Sequence, residues 1–305
     1  MKSWQRSGLC LMLCGVLVWF LADAPEIRAA AAEALALCAG SVIPALFPFL
    51  VLSTLLVSLG FGEWLSPYLA GLMTPLFRQP GLSSGALVLG LVGGYPIGAR
   101  TAAELYRRRL LTEDEARRLL TFCNNSNPVF LISVLGAGVF GNVRTGVWLW
   151  LIHLLSALLV GLLFRGGGGG KPARVPAVPA PAAGSVPAAF VGAVGSAAGA
   201  MVSICGFVTF FYVLAKPLSA LGGHLAPALV GLIELFSLTP LLPPDRLGFI
   251  LAAGISGWGG LSVLAQTAAV LDGTGLPLTP CLLGKALQGL FSALLAGLLA
   301  GFILP

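Results

Sequence analysis

Long apolar runs separated by short polar breaks organise this chain from end to end. The runs cover residues 9–22, 29–60, 63–77, 84–106, 116–140, 144–165, 188–216, 225–243, 247–271 and 279–304. Most reach the ~20 residues that a helix rising ~1.5 Å per residue needs to cross a hydrocarbon core of ~30 Å. The pattern predicts an all-α, polytopic helical membrane protein. The 63–77 run is too short for a straight span, and Pro44 and Pro48 interrupt the 29–60 run, so both are candidates for re-entrant segments.

Composition sharpens the class. Hydrophobic residues make up 57% of the 305 and charged residues 9%, against about 25% charged in soluble domains. A net charge of +6 could point to nucleic acid, but the basic residues sit in the gaps between apolar runs, where they report orientation instead. With every run taken as a crossing and the N-terminus inside, eleven basic residues fall on the cytoplasmic side and four outside, with Arg100 and Lys285 left in the membrane. That reading puts both termini and the Tyr106–Arg118 loop in the cytoplasm of a multi-pass cell-membrane protein. The six cysteines show no Cys-x-x-Cys spacing and read as small hydrophobes.

Four regions are expected: an uncleaved N-terminal signal-anchor helix (1–28), a first repeat (29–165), a Gly/Pro/Ala linker (166–187) and a second repeat (188–305). The repeat rests on two matches in the same order. Residues 65–72 (LSPYLAGL) recur as 225–232 (LAPALVGL), and 99–105 (ARTAAEL) recur as 265–271 (AQTAAVL). If every run crosses, the matched helices point in opposite directions, which predicts an inverted repeat with its site at the repeat interface on interrupted helices.

Chemistry is concentrated where polar groups interrupt apolar runs. Three glycines and a proline in Gly93–Arg100 preclude a regular helix, and Arg100 is a charge in the membrane, with Glu104 one turn on as its expected partner. Asn124, Asn125, Ser126 and Asn127 place three carboxamides and a hydroxyl at a second break, ahead of Pro128. Glu234 is an intramembrane carboxylate with no basic neighbour in sequence, and such residues mark solute or coupling-ion sites unless they pair within the fold. The candidate site thus comprises Gly94, Tyr95, Arg100, Asn124, Asn125, Ser126, Asn127, Glu234, Trp258, Ser262 and Gln266. His153 reads as a packing residue, and Lys285 as a side chain that snorkels to the interface. The Gly136–Gly141 run matches a dinucleotide fingerprint only in letters, having no βαβ context, and Thr112–Glu115 reads as a helix N-cap. No nucleophile and base set and no metal cluster stands out, so neither enzyme chemistry nor a cofactor is expected.

Five ordered motifs resemble the sporulation integral membrane protein family, which carries the nucleoside-recognition (Gate) domain. They are Pro44–Phe49, Gly94–Arg100, Asn124–Pro128, Gly231–Glu234 and Trp258–Gln266. The resemblance implies a cytoplasmic-membrane protein of spore-forming bacteria, related at domain level to concentrative nucleoside transporters and to the gate region of ferrous-iron transporters. One departure is that Ser126-Asn127-Pro128 stands where relatives tend to have Ser-Gly-Pro. The expected partners are the lipid bilayer, a small polar solute that is nucleoside-like at best guess, and a coupling ion. Nucleic acid is not expected, and self-association into a homo-oligomer is compatible with the sequence. The competing expectation is a structural or assembly component that keeps the scaffold and moves nothing.

Overall fold

A computed structural model describes residues 3–166 and 185–304. Among them are thirteen α-helices and no strand. The linker expected at 166–187 lies almost wholly outside the described residues.

Helix α1 (Ser3–Ala22) leads into α2 (Ala24–Leu37), which continues through a π-helical turn at Cys38–Val42 into α3 (Ile43–Ser58). Pro44 and Pro48 therefore deform this path rather than turn it back, and Ala24–Ser58 is a single apolar passage of 35 residues. A proline lacks the N–H of its own helical bond and crowds the preceding turn, which the wider π turn accommodates. Four further passages are long and apolar enough to cross: α8 (Val143–Leu163), α9 (Val186–Ala215) with its continuation to Ala220, the pair α11 (Arg246–Trp258) and α12 (Gly260–Leu271), and α13 (Thr279–Ile303). Side chains such as Leu11, Val202, Leu298 and Phe302 stand uncovered on the outside. That is where lipid would meet them.

The 84–106 run does not cross. It forms α5 (Ser83–Gly93) and α6 (Ile97–Arg107), two helices of 11 residues that pack against each other. At ~1.5 Å per residue each arm is about 16 Å long, roughly half the hydrocarbon thickness. Leu82 and Gly85 share one small cavity with Leu105 and Arg108, so the open ends of the hairpin lie together. Gly90 and Gly98 let the arms close on the 121–127 break, because a Cβ on either would collide with the Cys123 carbonyl oxygen. Helix α4 (Phe61–Phe77) has both ends at this same end of the bundle: Gly62 and Glu63 line the cavity with Arg108, while Arg118 donates to the Arg78 carbonyl at 3.5 Å.

From there α7 (Glu113–Leu120) enters the bundle, opened by the expected cap, a reciprocal pair between Thr112 and Glu115. The chain unwinds over residues 121–127 and resumes as a π-helical stretch, Phe130–Val139, that goes on to the far end, from which α8 returns packed against it. A second short hairpin enters from the opposite end: α10 (Leu225–Ile233) turns at Glu234 into a 3₁₀ stretch, Phe236–Leu241, packed back on α10. Asp245 then caps α11 by accepting from Gly248 N–H at 2.7 Å. That bond, with His224 at 2.8 Å, holds the Asp245 carboxyl below the ordinary carboxylate range.

The segments matched in sequence thus fold differently. Residues 83–107 turn back on themselves, whereas α11 and α12 do not pack on one another and lead onward in one passage antiparallel to α13. Both do break at a glycine in the left-handed region, Gly94 (φ 84°) and Gly259 (φ 89°).

The hairpin has a direct consequence for accessibility. Single cysteines replacing Arg78 and Arg109, in a background without native cysteines, should react with impermeant thiol reagents from the same side of the membrane, and one replacing Arg144 from the other. Labelling of the first two from opposite sides would show that residues 83–107 cross.

Candidate functional site

Two hairpin tips and two helix breaks meet in the middle of the bundle. Tyr95, at the tip of the α5–α6 hairpin, packs on Gly259 and donates its hydroxyl to the Ser256 carbonyl at 3.0 Å. Glu234, at the tip of the other hairpin, lies against Gly260, and the Trp258 indole donates to Leu232 O at 2.9 Å. The 121–127 break sits beside the first tip, since Asn127 packs on Gly94. The breaks therefore lie together, but the candidate residues do not all line one pocket.

The asparagines form a closed network. Asn124, Asn125, Ser126 and Asn127 are all buried. Asn127 donates to Val92 O and Gly93 O at 3.0 and 3.3 Å and accepts from Val129 N–H at 2.7 Å. It thereby takes up backbone groups left open both by the hairpin tip and by its own break. Asn124 donates to the Thr267 hydroxyl at 3.0 Å and Asn125 to Phe122 O at 2.8 Å. Ser126 N–H donates to His153 Nε2 at 3.0 Å.

Lys285 and Gln288 complete this network, and neither was among the candidate residues. Lys285 is fully buried, with its Nζ 3.0 Å from Asn124 O, 2.7 Å from Gln288 Oε1 and 4.7 Å from the centre of the Tyr95 ring. It does not snorkel: the side chain runs inward from α13 to the break. Gln288 in turn donates to Asn125 Oδ1 at 2.9 Å. A lysine within a 25-residue apolar helix was the available signal; its spacing of three from Gln288 puts both on one face of that helix.

Glu234 forms a separate cluster. Its carboxylate accepts from Ser237 N–H at 2.6 Å, from the Ser237 hydroxyl at 2.5 Å and from Ser262 at 3.4 Å. No hydrogen bond joins it to the asparagines among the described residues.

Arg100 lies elsewhere again, on the outer face of α6. The expected pairing with Glu104 is not formed, because Glu104 is taken by Arg108 at 2.7 Å and Arg107 at 3.7 Å. The Arg100 guanidinium donates to the Ser196 hydroxyl of α9 at 2.8 Å. It opens on a cavity of about 410 Å³ between α6, α9 and α12, lined also by Pro96, Ser203, Phe207 and Gln266. On its other side a cavity of about 260 Å³, lined by Ser53, Thr54, Thr101, Glu104, Arg107 and Arg108, leads toward the hairpin's open end. Of the candidate residues, Arg100 and Gln266 face free volume, whereas the asparagines, Tyr95 and Glu234 are engaged with protein.

A closed network makes a sharp stability prediction. Asn127→Leu removes the partners of three backbone groups at once and should destabilise the protein by about 3 kcal/mol or more, since each unpaired buried group costs ~1–3 kcal/mol. Glu104→Gln, which breaks only two half-exposed ion pairs, should change stability by less than about 1 kcal/mol. Thermal melts of the purified proteins in detergent measure both, and an unaltered Asn127→Leu melt would remove the network from the account of stability.

Residues 39–143 match the family model described as nucleoside recognition, the Gate domain. The matched stretch contains the Pro44–Phe49, Gly94–Arg100 and Asn124–Pro128 motifs. The chain is also 29% identical to a sporulation integral membrane protein of Bacillus subtilis, YlbJ, over 85% of this chain and 74% of that protein. No solved structure matches. The resemblance is borne out: this is an integral membrane protein whose residues 39–143 match the Gate domain model and which is similar over most of its length to a sporulation integral membrane protein.

Proposed function

We propose that the protein binds a small polar solute in the 410 Å³ cavity between α6, α9 and α12 and carries it across the membrane. The observation that carries this reading is Arg100. It is a guanidinium on the cavity wall whose only hydrogen-bond partner among the described residues is a neutral hydroxyl, and it stands between that cavity and the one leading to the basic end of the bundle. A guanidinium in such a place favours a solute with an acidic group, which it would hold by charge-assisted bonds. Gln266, Ser196 and Ser203 supply neutral donors and acceptors for the rest. The volume lies within the range of small-molecule sites. The family model's description points to a nucleoside-like solute, which has no acidic group and would meet Arg100 through its neutral carbonyl and ring-nitrogen acceptors, and the relative's name points to a role in sporulation.

Two further parts of the proposal concern topology. Elements of the halves pair as an inverted repeat in a register one element away from the sequence matches: the hairpin 83–107 with 225–241, and the broken passage 113–139 with 246–271. The hairpins enter from opposite ends, and each is followed by a broken passage, which supports that pairing. The end carrying Arg78, Arg107, Arg108, Arg109, Arg117, Arg118 and Arg165 faces the cytoplasm, since the other end carries Arg28, Arg144, Lys216 and Arg246. Under this orientation Ile303 lies on the far side, opposite to the placement obtained when every apolar run crosses.

Untargeted mass spectrometry of solutes co-purifying with the protein identifies the ligand class, and calorimetry with that solute tests the site. Arg100→Gln should weaken binding by about 10- to 100-fold, the loss of one charge-assisted contact, while Glu33→Gln, distant on α2, leaves it unchanged. Full affinity in Arg100→Gln would reject this cavity, and a protein that carries no solute at all would favour a structural role in spore formation.

A further inference from the structure

We infer that Lys285 is a tethered cation, an ammonium that occupies at the 121–127 break a coordination site that oxygen ligands would otherwise offer to a free monovalent cation. The inference stands apart from the solute reading and does not rest on it.

The coordination is that of a cation site. Broken membrane helices expose backbone carbonyls, and in transporters such unwound carbonyls coordinate cations. Here one of them, Asn124 O, faces Nζ at 3.0 Å, and a carboxamide oxygen, Gln288 Oε1, faces it at 2.7 Å. The Tyr95 ring covers a third direction, with its centre 4.7 Å away, and an aromatic face attracts a cation through its quadrupole. All three are electron-rich and uncharged. No carboxylate takes part in a salt bridge with Lys285 among the described residues, and Glu234 is engaged with Ser237 and Ser262. Each partner is also held from behind: Gln288 by Asn125, Asn124 by Thr267, and Tyr95 by Ser256 O. Orientation of the ligands by a second layer of bonds is what a preformed cation site requires.

The three partners come from different elements. Asn124 belongs to the break, Tyr95 to the hairpin tip and Gln288 to α13. One ammonium thus ties the first hairpin and the broken helix to α13, at the level where the passages are interrupted. Its role is positioning. A free ion would do the same only while bound, whereas a covalently attached one holds the arrangement at any ion concentration.

Chemical rescue separates this role from packing. Lys285→Ala deletes three methylenes and the ammonium, the atoms of n-propylammonium. Purified Lys285→Ala should melt about 10 °C below the wild-type protein. Rising concentrations of n-propylammonium chloride should recover at least half of that shift. 1-Propanol, of the same shape but uncharged, and tetramethylammonium, charged but without N–H donors, should recover none. The wild-type melt should be indifferent to all three. A Lys285→Ala protein as stable as wild type, or one rescued equally by 1-propanol, or one that n-propylammonium does not rescue, would overturn the inference. If Lys285→Ala cannot be purified, Lys285→Met decides, because it keeps the bulk and removes the charge. A low melt in Lys285→Met sustains the tethered cation, and a wild-type melt overturns it.

Discussion

Everything in the centre of this molecule follows from one constraint: a backbone group freed where a membrane helix breaks has no water to turn to and must be satisfied by protein. Each N–H or C=O left open in hydrocarbon costs several kcal/mol. This chain breaks its passages at 94–96, at 121–127, at Glu234 and at Gly259. At every one of them a side chain from another element, or the break itself, takes up polar groups. Asn127 serves the first hairpin tip, Ser126 N–H finds His153, Lys285 takes Asn124 O, and the Trp258 indole takes Leu232 O. Gathering the breaks at one level lets each supply partners to the next.

The same constraint explains which parts of the fold were legible in the sequence. Apolar runs report length and burial faithfully, so the helical membrane class and the interrupted positions at Gly94 and Asn124 could be read directly. Direction could not. A run of 23 apolar residues is long enough to cross, and only the tertiary packing of Gly90 and Gly98 on Cys123 O turns 84–106 into a hairpin. That single difference moves Arg78 to the same end as Arg107–Arg109 and undoes the count of sides made with every run crossing. The repeated short matches had the same weakness, since Leu- and Ala-rich stretches pair easily in a register one element away.

At the level of side chains, identity was legible and partnership was not. Arg100 and Glu104 have the spacing of an ion pair on one helix, yet Arg107 and Arg108, on the solvent side of the same helix, compete for the carboxylate and hold it. Lys285 has the position of a snorkelling lysine, but its stem would have to pass along α13 away from Asn124, leaving that carbonyl unpaired. The inward rotamer satisfies both groups. Asn127 could be read as a polar residue at a helix break. Its role depends on Val92 and Gly93, more than thirty residues away, which no local reading provides.

Two ionisable groups of opposite type, Lys285 and Glu234, are buried in this core with no ion pair between them among the described residues, and the reason is again the breaks. A buried ion pair offsets its desolvation only when geometry is excellent and the remaining donors and acceptors are also satisfied. A broken helix offers an alternative, because its two freed ends are of opposite character: carbonyl oxygens on one side, N–H groups on the other. Lys285 meets a carbonyl, a carboxamide oxygen and an aromatic face, while Glu234 meets an N–H and two hydroxyls. Each group thereby meets neutral dipoles of the sign its charged form needs. Separation has a structural return, since an ion pair would have fixed one contact, whereas two separately bonded groups fix two breaks, one at each hairpin tip.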